Sequence, residues 1–430
     1  MKRIIASAGL VALGAASLQA AYAPGLSPLE QSKPWTIGLA LKGFYDDNYT
    51  TSPSSDAPDT FGISISPYAA INKVMDQTLI SLSYQYTMKW YEDRPNNEAD
   101  HIQLAKLRVN HAFSERFKVD FSEKFIYAQE GTVETDVVTT PTVLMTDADY
   151  VRNVADVGVT AGLTEKIGLA VSYQNQIYDY EQDTGINNRS AMLDRMEHLV
   201  GLEGQIQLRP ETTALLGYRY GIVDHTHDHY MSIPVEVFPG LWLPLAFKND
   251  VRNVNSHYLF AGVEHTFNPQ LQADARVGAM INDYPNADQV PGWDDSSVTP
   301  WGGVRLTWTY NPGSYLSFGV VHTLNQTDVA AQNQESTAVF ASLNHRITPK
   351  LTGSLRGHFQ YSSYTSGVYD GDADLLYLVD LNLAYAFNPN LSAELGYSWD
   401  RLDSDIGDLS LGYDRSYSRN RVYLGLRATY

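Results

Sequence analysis

Residues Thr78 to Trp90 read TLISLSYQYTMKW. Ile80, Leu82, Tyr84, Tyr86, Met88 and Trp90 fall on one phase of a two-residue period. Ser81, Ser83, Gln85, Thr87 and Lys89 fall on the other. A period of two predicts a β-strand with one apolar and one polar face. Leu391–Trp399 and Leu271–Ile281 repeat the pattern, and a helical period is almost absent. Eight short turns are predicted near Val74–Gln77, Ser114–Arg116, Thr164–Lys166, Arg209–Glu211, Asn268–Gln270, Asn311–Gly313, Thr348–Lys350 and Asn388–Asn390. Nine longer polar stretches separate them: 46–59, 93–100, 131–148, 182–194, 226–255, 285–298, 328–335, 365–374 and 403–418. Short and long connections alternate strictly, which joins about eighteen strands.

An even strand count with alternating short and long connections predicts an all-β fold, a transmembrane antiparallel up-and-down β-barrel. The short turns then face the periplasm and the long loops face outward. Several short turns carry Asn-Pro or Thr-Pro. Proline has no N–H for a ladder, and the residue before it can cap the turn. A β-sandwich also alternates, but its strands are usually shorter. It also does not explain aromatic residues near strand ends, such as Trp90, Tyr310, Phe387, Tyr397 and Trp399.

Composition narrows the picture. The chain has 430 residues, 43% hydrophobic and 18% charged, and no Cys. Disulfides, thiol catalysis and thiolate metal sites are therefore excluded. A net charge of −19 argues against nucleic acid as a partner. Lys2 and Arg3 precede an apolar run, Ile4 to Leu18, that predicts a secretory signal peptide over 1–20. Cleavage is expected after Ala20 or Ala21. Residues 21–34 form a short periplasmic segment, and 35–430 form a single barrel domain.

The C-terminal strand places Val422, Leu424, Leu426, Ala428 and Tyr430 on one face and ends on an aromatic residue. This looks like the insertion signal read by the outer-membrane barrel assembly machinery. GFYDDNY (Gly43–Tyr49), SLSYQYTMKWYEDR (Ser81–Arg94) and SYSRNRVYLGLRATY (Ser416–Tyr430) resemble the outer-membrane β-barrel porin family of the type linked in some bacteria to exopolysaccharide export. The resemblance implies an outer-membrane channel and no catalytic residues.

An eighteen-stranded barrel leaves a wet lumen. Residues in phase with the polar face are the pore-lining candidates. They are Lys42, Lys89, Lys106, Arg108, Arg219, Arg276, Arg305, Arg356 and Arg427, with Asp120, Glu203, Glu264, Asp274, Asp380 and Glu394. Glu123 falls on the lipid-facing phase of Phe117–Tyr127, so a bulge or a slip of register is expected there. Acidic loop residues, Asp46, Asp47, Asp294, Asp295, Asp370, Asp372, Asp374, Asp403, Asp405 and Asp408, could hold divalent cations that bridge lipopolysaccharide. Asp370, Asp372 and Asp374 alternate as in a calcium loop but lack its glycine and final glutamate.

His225, His227 and His229 alternate within DHTHDHY; on one strand face they could hold a transition metal. The run IPVEVFPGLWLPLAF (Ile233–Phe247) is too apolar for a solvated loop; it is expected to fold into the lumen as a constriction or plug, the alternative being packing against a partner at the surface. The chain carries no G-x-S-x-G or H-E-x-x-H signature, which disfavours an enzyme. The reading is an outer-membrane channel for passive passage of hydrophilic solutes, with no cofactor beyond loop-bound divalent cations. Its partners are lipid, lipopolysaccharide and solutes or a polysaccharide. The alternatives are an export conduit for exopolysaccharide and a surface adhesin or binding barrel.

Overall fold

The computed structural model describes residues 33–53, 57–95, 98–129, 149–181, 188–406 and 415–430. The expected signal peptide, most of segment 21–34, loop 131–148 and Asp408 lie outside the described residues. Eighteen antiparallel strands close into one barrel. The first nine are Trp35–Asp46 (β1), Thr60–Val74 (β2), Thr78–Tyr91 (β3), Ala99–Ala112 (β4), Phe117–Ala128 (β5), Tyr150–Gly162 (β6), Ile167–Tyr180 (β7), Arg195–Arg209 (β8) and Thr212–His225 (β9). A hairpin outside the barrel follows, Tyr230–Phe238 (β10) and Leu241–Lys248 (β11). The barrel resumes with Val254–Asn268 (β12), Leu271–Asp283 (β13), Ser296–Asn311 (β14), Ser314–Asn325 (β15) and Asn333–Arg346 (β16). It ends with Leu351–Thr365 (β17), Ala373–Asn388 (β18), Leu391–Ser404 (β19) and Tyr417–Thr429 (β20). A short helix, Arg189–Leu193 (α1), precedes β8.

The eighteen strands that alternation predicts are the eighteen that form the barrel. β1 pairs with β20 and closes the ring, so the barrel sheet has no open edge. Strands run to 12–16 residues, longer than the ten expected. Roughly ten tilted residues cross the hydrocarbon, so the surplus extends beyond it.

Contacts between non-neighbouring strands identify the inner face. Arg276 of β13 reaches Glu203 of β8 at 3.1 Å, past β9 and β12. Only the concave side allows such a chord. The opposite phase carries the exposed Leu39, Leu41, Leu82, Val277, Leu383, Leu395, Leu424 and Leu426. That phase is a lipid-facing surface. Inward aromatic rings lie over inward glycines on the next strand, as Phe260 does over Gly217 and Tyr423 over Gly396. A Cβ at either glycine would run into the ring.

The periplasmic turns use one chemistry. Asn268 Oδ1 accepts from the N–H groups of Gln270 and Leu271 at 2.8 and 3.0 Å. Asn388 Oδ1 accepts from Asn390 N–H at 2.8 Å. Thr348 and Thr164 do the same with a hydroxyl, each capping N–H groups two and three residues on. Each side chain satisfies donors that the ladder has released. At the same rim Tyr430 packs on Trp35 and pairs with the Ile37 backbone. Val422, Leu424, Leu426 and Tyr430 all point outward.

Glu123 corrects one expectation. β5 pairs with β4 and β6 in unbroken register, so neither a bulge nor a slip is present. The carboxylate lies on the lipid-facing phase at mid-strand and accepts a hydrogen bond from Asn153 Nδ2 at 3.1 Å. The neighbouring amide offsets part of the cost of that position. Glu123→Leu is expected to stabilise the barrel by up to about 2 kcal/mol. An unfolding midpoint in urea that falls instead of rising would contradict the lipid-facing placement.

Candidate functional site

Every strand sends alternate side chains inward, so the site is the lumen and its external mouth. All fifteen pore-lining candidates fall on the inner phase. On β8, β12, β13 and β14 they form a compact charge cluster. Arg276 contacts Glu203 and Glu264 at 3.1 Å each and Asp274 at 3.8 Å; Arg305 lies 3.4 Å from Asp274. Arg219 lies over the rings of Phe260 and Trp301, at 5.1 and 5.3 Å from their centroids.

Half a turn around the ring, Lys42 pairs with Glu394 at 3.0 Å and lies over the Tyr423 ring. Arg356 and Asp380 sit in register on β17 and β18. Arg427 lies near that seam, in register with Ala40 and Ser392. The wall of β3 to β5 carries Lys89, Lys106 and Arg108 with Asp120, which accepts from Asn110. Sequence reading missed Lys118 and Lys124 on this wall and Arg421 near the seam. Lys118 and Lys124 share the period-two phase of Asp120, so the signal was present. Arg276→Gln would leave three clustered carboxylates without their shared cation. The reversal potential in a salt gradient is expected to shift toward cation selectivity. An unchanged potential would place the constriction elsewhere.

The mouth is built from loops. β10 and β11 turn one face, Met231, Ile233 and Val235, into a buried apolar cluster. Leu193 of α1, Tyr284, Val290 and Trp293 after β13, Val329–Ala331 after β15, Tyr369 after β17 and Ile406 after β19 complete it. These residues come from loops on widely separated strands, so the cluster spans the mouth. Stretch 328–335 reads as polar, yet Val329, Ala330 and Ala331 are buried in it. The apolar run of 226–255 forms a hairpin that packs one face against the other external loops, while Phe238, Leu241 and Leu243 on it stay exposed.

Buried charge ties the loops together. The Arg252 guanidinium donates to the carbonyls of Met192 and Thr327 at 3.1 and 2.7 Å. Burial pushes its pKa down to about 9. Arg415 pairs with Asp328 at 2.9 Å and Asp374 at 3.5 Å and donates to the Tyr364 hydroxyl at 3.0 Å. Arg189 adds a second contact to Asp328 at 3.2 Å.

This network corrects the calcium-loop reading. Asp374 is taken up by Arg415, Tyr364 and Ser404, while Asp370 accepts from Ser366 N–H. Asp370, Asp372 and Asp374 do not converge on a cation. Asp46 likewise faces Arg419 and Asp47 accepts from Asn420, so neither is a free external carboxylate.

The histidine trio is corrected too. His227 adopts a left-handed backbone, with φ 62°. This breaks the period-two alternation, so the three rings do not share a face. His225 is buried, and both ring nitrogens lack a hydrogen-bond partner. His227 and His229 instead converge on Asp194, at 3.6 and 3.8 Å from Oδ2. Burial pushes the Asp194 carboxyl up to about 7.

Residues 299–430 match a family model described as Putative beta-barrel porin 2. No curated protein matches the chain. Among solved structures, OpdK of Pseudomonas aeruginosa is similar at 10% identity and a TM-score of 0.45, over 92% of this chain and 99% of that one. A BenF-like porin from Pseudomonas fluorescens Pf-5 gives 10% identity and a TM-score of 0.45, over 93% and 99%.

Proposed function

We propose that this outer-membrane β-barrel is a passive channel for small hydrophilic solutes, narrowed at its external mouth by the β10–β11 hairpin. The observation that carries the reading is the opposition of faces within one closed ring. The outside is apolar, and the inside is lined with paired charge and amide groups. A barrel of eighteen strands leaves room for water, and its mixed charge lets polar solutes exchange hydration for wall contacts at modest cost. The cluster around Arg276 and the pair Lys42–Glu394 stand on opposite walls. A permeating solute would cross the field between them. The reading involves no catalytic step.

Single-channel conductance of the refolded protein in a planar bilayer tests it. A steady conductance is expected, with weak selectivity read from the reversal potential. Silence from a correctly folded, heat-modifiable barrel would overturn the open-channel reading. It would favour a gated export conduit for polysaccharide or a surface-binding barrel.

A further inference from the structure

We propose that Asp194, His227 and His229 form a binding site for a divalent transition metal of the zinc class, which fastens the base of the β10–β11 hairpin to the barrel rim. The site does not depend on the channel reading. It stands on four observations.

The first is convergence. One ligand atom from each residue lies within 4.8 Å of the other two. Asp194 Oδ2 is 3.6 Å from His227 Nδ1 and 3.8 Å from His229 Nε2. These separations are too long for hydrogen bonds. Zinc bonds of about 2.0–2.2 Å set donor atoms of a tetrahedral site roughly 3.3 Å apart. The two Asp–His separations would each close by about half an ångström or less on an ion.

The second is charge. The Asp194 side chain is only 2% exposed, and its ion-pair partners among the described residues are these two histidines alone. A buried carboxylate is normally paired or bound to a metal. A divalent cation would supply a fixed positive charge beside it.

The third is preorganisation. The Thr226 N–H donates to the Asp194 carbonyl at 3.1 Å, so the two segments are already joined beside the site. Asp194 Oδ1 is held by Tyr180 N–H at 2.7 Å, which aims Oδ2 at the histidines. His229 is held by Asn249, whose N–H meets its carbonyl at 2.9 Å. The left-handed backbone at His227 is the strained element that turns its ring toward Asp194.

The fourth is donor chemistry. Two imidazoles and one carboxylate suit zinc, nickel or copper, whereas calcium and magnesium prefer oxygen ligands throughout. Three protein ligands leave a fourth position for water, and the His227 side chain is 58% exposed. The ion would enter from the external medium and exchange with it.

Titration calorimetry of the tag-free refolded barrel with zinc chloride tests the site. One ion per chain is expected, with calcium and magnesium silent. His227→Ala and His229→Ala are each expected to weaken binding at least tenfold. His345→Ala, on the opposite rim, should leave it unchanged. Asp194 also holds the Tyr180 N–H, so the test uses the histidine variants, with Co²⁺ as a second readout. An intense visible absorption band from tetrahedral Co²⁺ is expected in the parent and lost in His229→Ala. Zinc affinity unchanged in the His227→Ala/His229→Ala double variant would overturn the proposal. So would the absence of saturable binding at millimolar zinc.

Discussion

Removing residues 231–247 and joining the ends with a short polar linker is expected to raise single-channel conductance several-fold. The barrel should survive the deletion. β9 and β12 pair directly from Val223–Val254 to Thr212–His265, so the ladder does not pass through the hairpin. What the deletion removes is the buried face of Met231, Ile233 and Val235 and the strand that reaches the turn at Gly367–Tyr369. Each of these side chains contributes roughly 1.5–3 kcal/mol of burial, so the remaining loops should also fluctuate and the open level should become noisier. Conductance equal to that of the parent would mean that the constriction lies deeper, at the wall around Arg276.

The second large effect is expected at Arg415. Arg415→Leu leaves Asp374 buried without its cation and leaves Asp328 with only Arg189. Breaking a buried pair in this way costs about 3–5 kcal/mol. The loss should stay local, because the guanidinium lies among loops and strand ends outside the lipid-spanning ladder. Limited proteolysis should cut the external loops faster, while the heat-modifiable band on a gel stays unchanged. Arg415→Leu/Asp374→Asn should recover part of the protection, since it removes the orphaned charge. Equal proteolysis of parent and Arg415→Leu would show that the apolar cluster alone holds the mouth.

The barrel was legible because period two survives wherever one face meets lipid and the other meets water. Leu391 to Trp399 could be read in one pass for that reason. The turns were legible because Asn268, Thr348 and Asn388 act on their own neighbours in sequence. The mouth was not legible, because its energetics are long-range. Val329–Ala331 sits in a polar stretch, and its burial comes from residues that arrive from several other loops. The grouping of the histidines was only partly legible for a similar reason. Alternation at His225, His227 and His229 assumes an extended chain, and one left-handed residue ends it. Asp194 could not be found from spacing, since it arrives from the preceding hairpin. The phase of Glu123 is legible in the sequence; the Asn153 amide that lets a carboxylate remain there comes from the next strand and is not.

The seam between β1 and β20 has a kinetic consequence. Asp46 and Arg419 meet across it although 373 residues separate them in sequence. By a logarithmic estimate, joining ends that far apart costs about 5 kcal/mol of chain entropy. No local contact can recover this before the last strand arrives. Closure is therefore expected to be the late and slow event in folding, after the neighbouring hairpins have formed one by one. Until then both edge strands offer unpaired backbone to any other chain. An absence of cysteine suits that interval: an oxidising compartment cannot trap the half-closed sheet with a wrong disulfide.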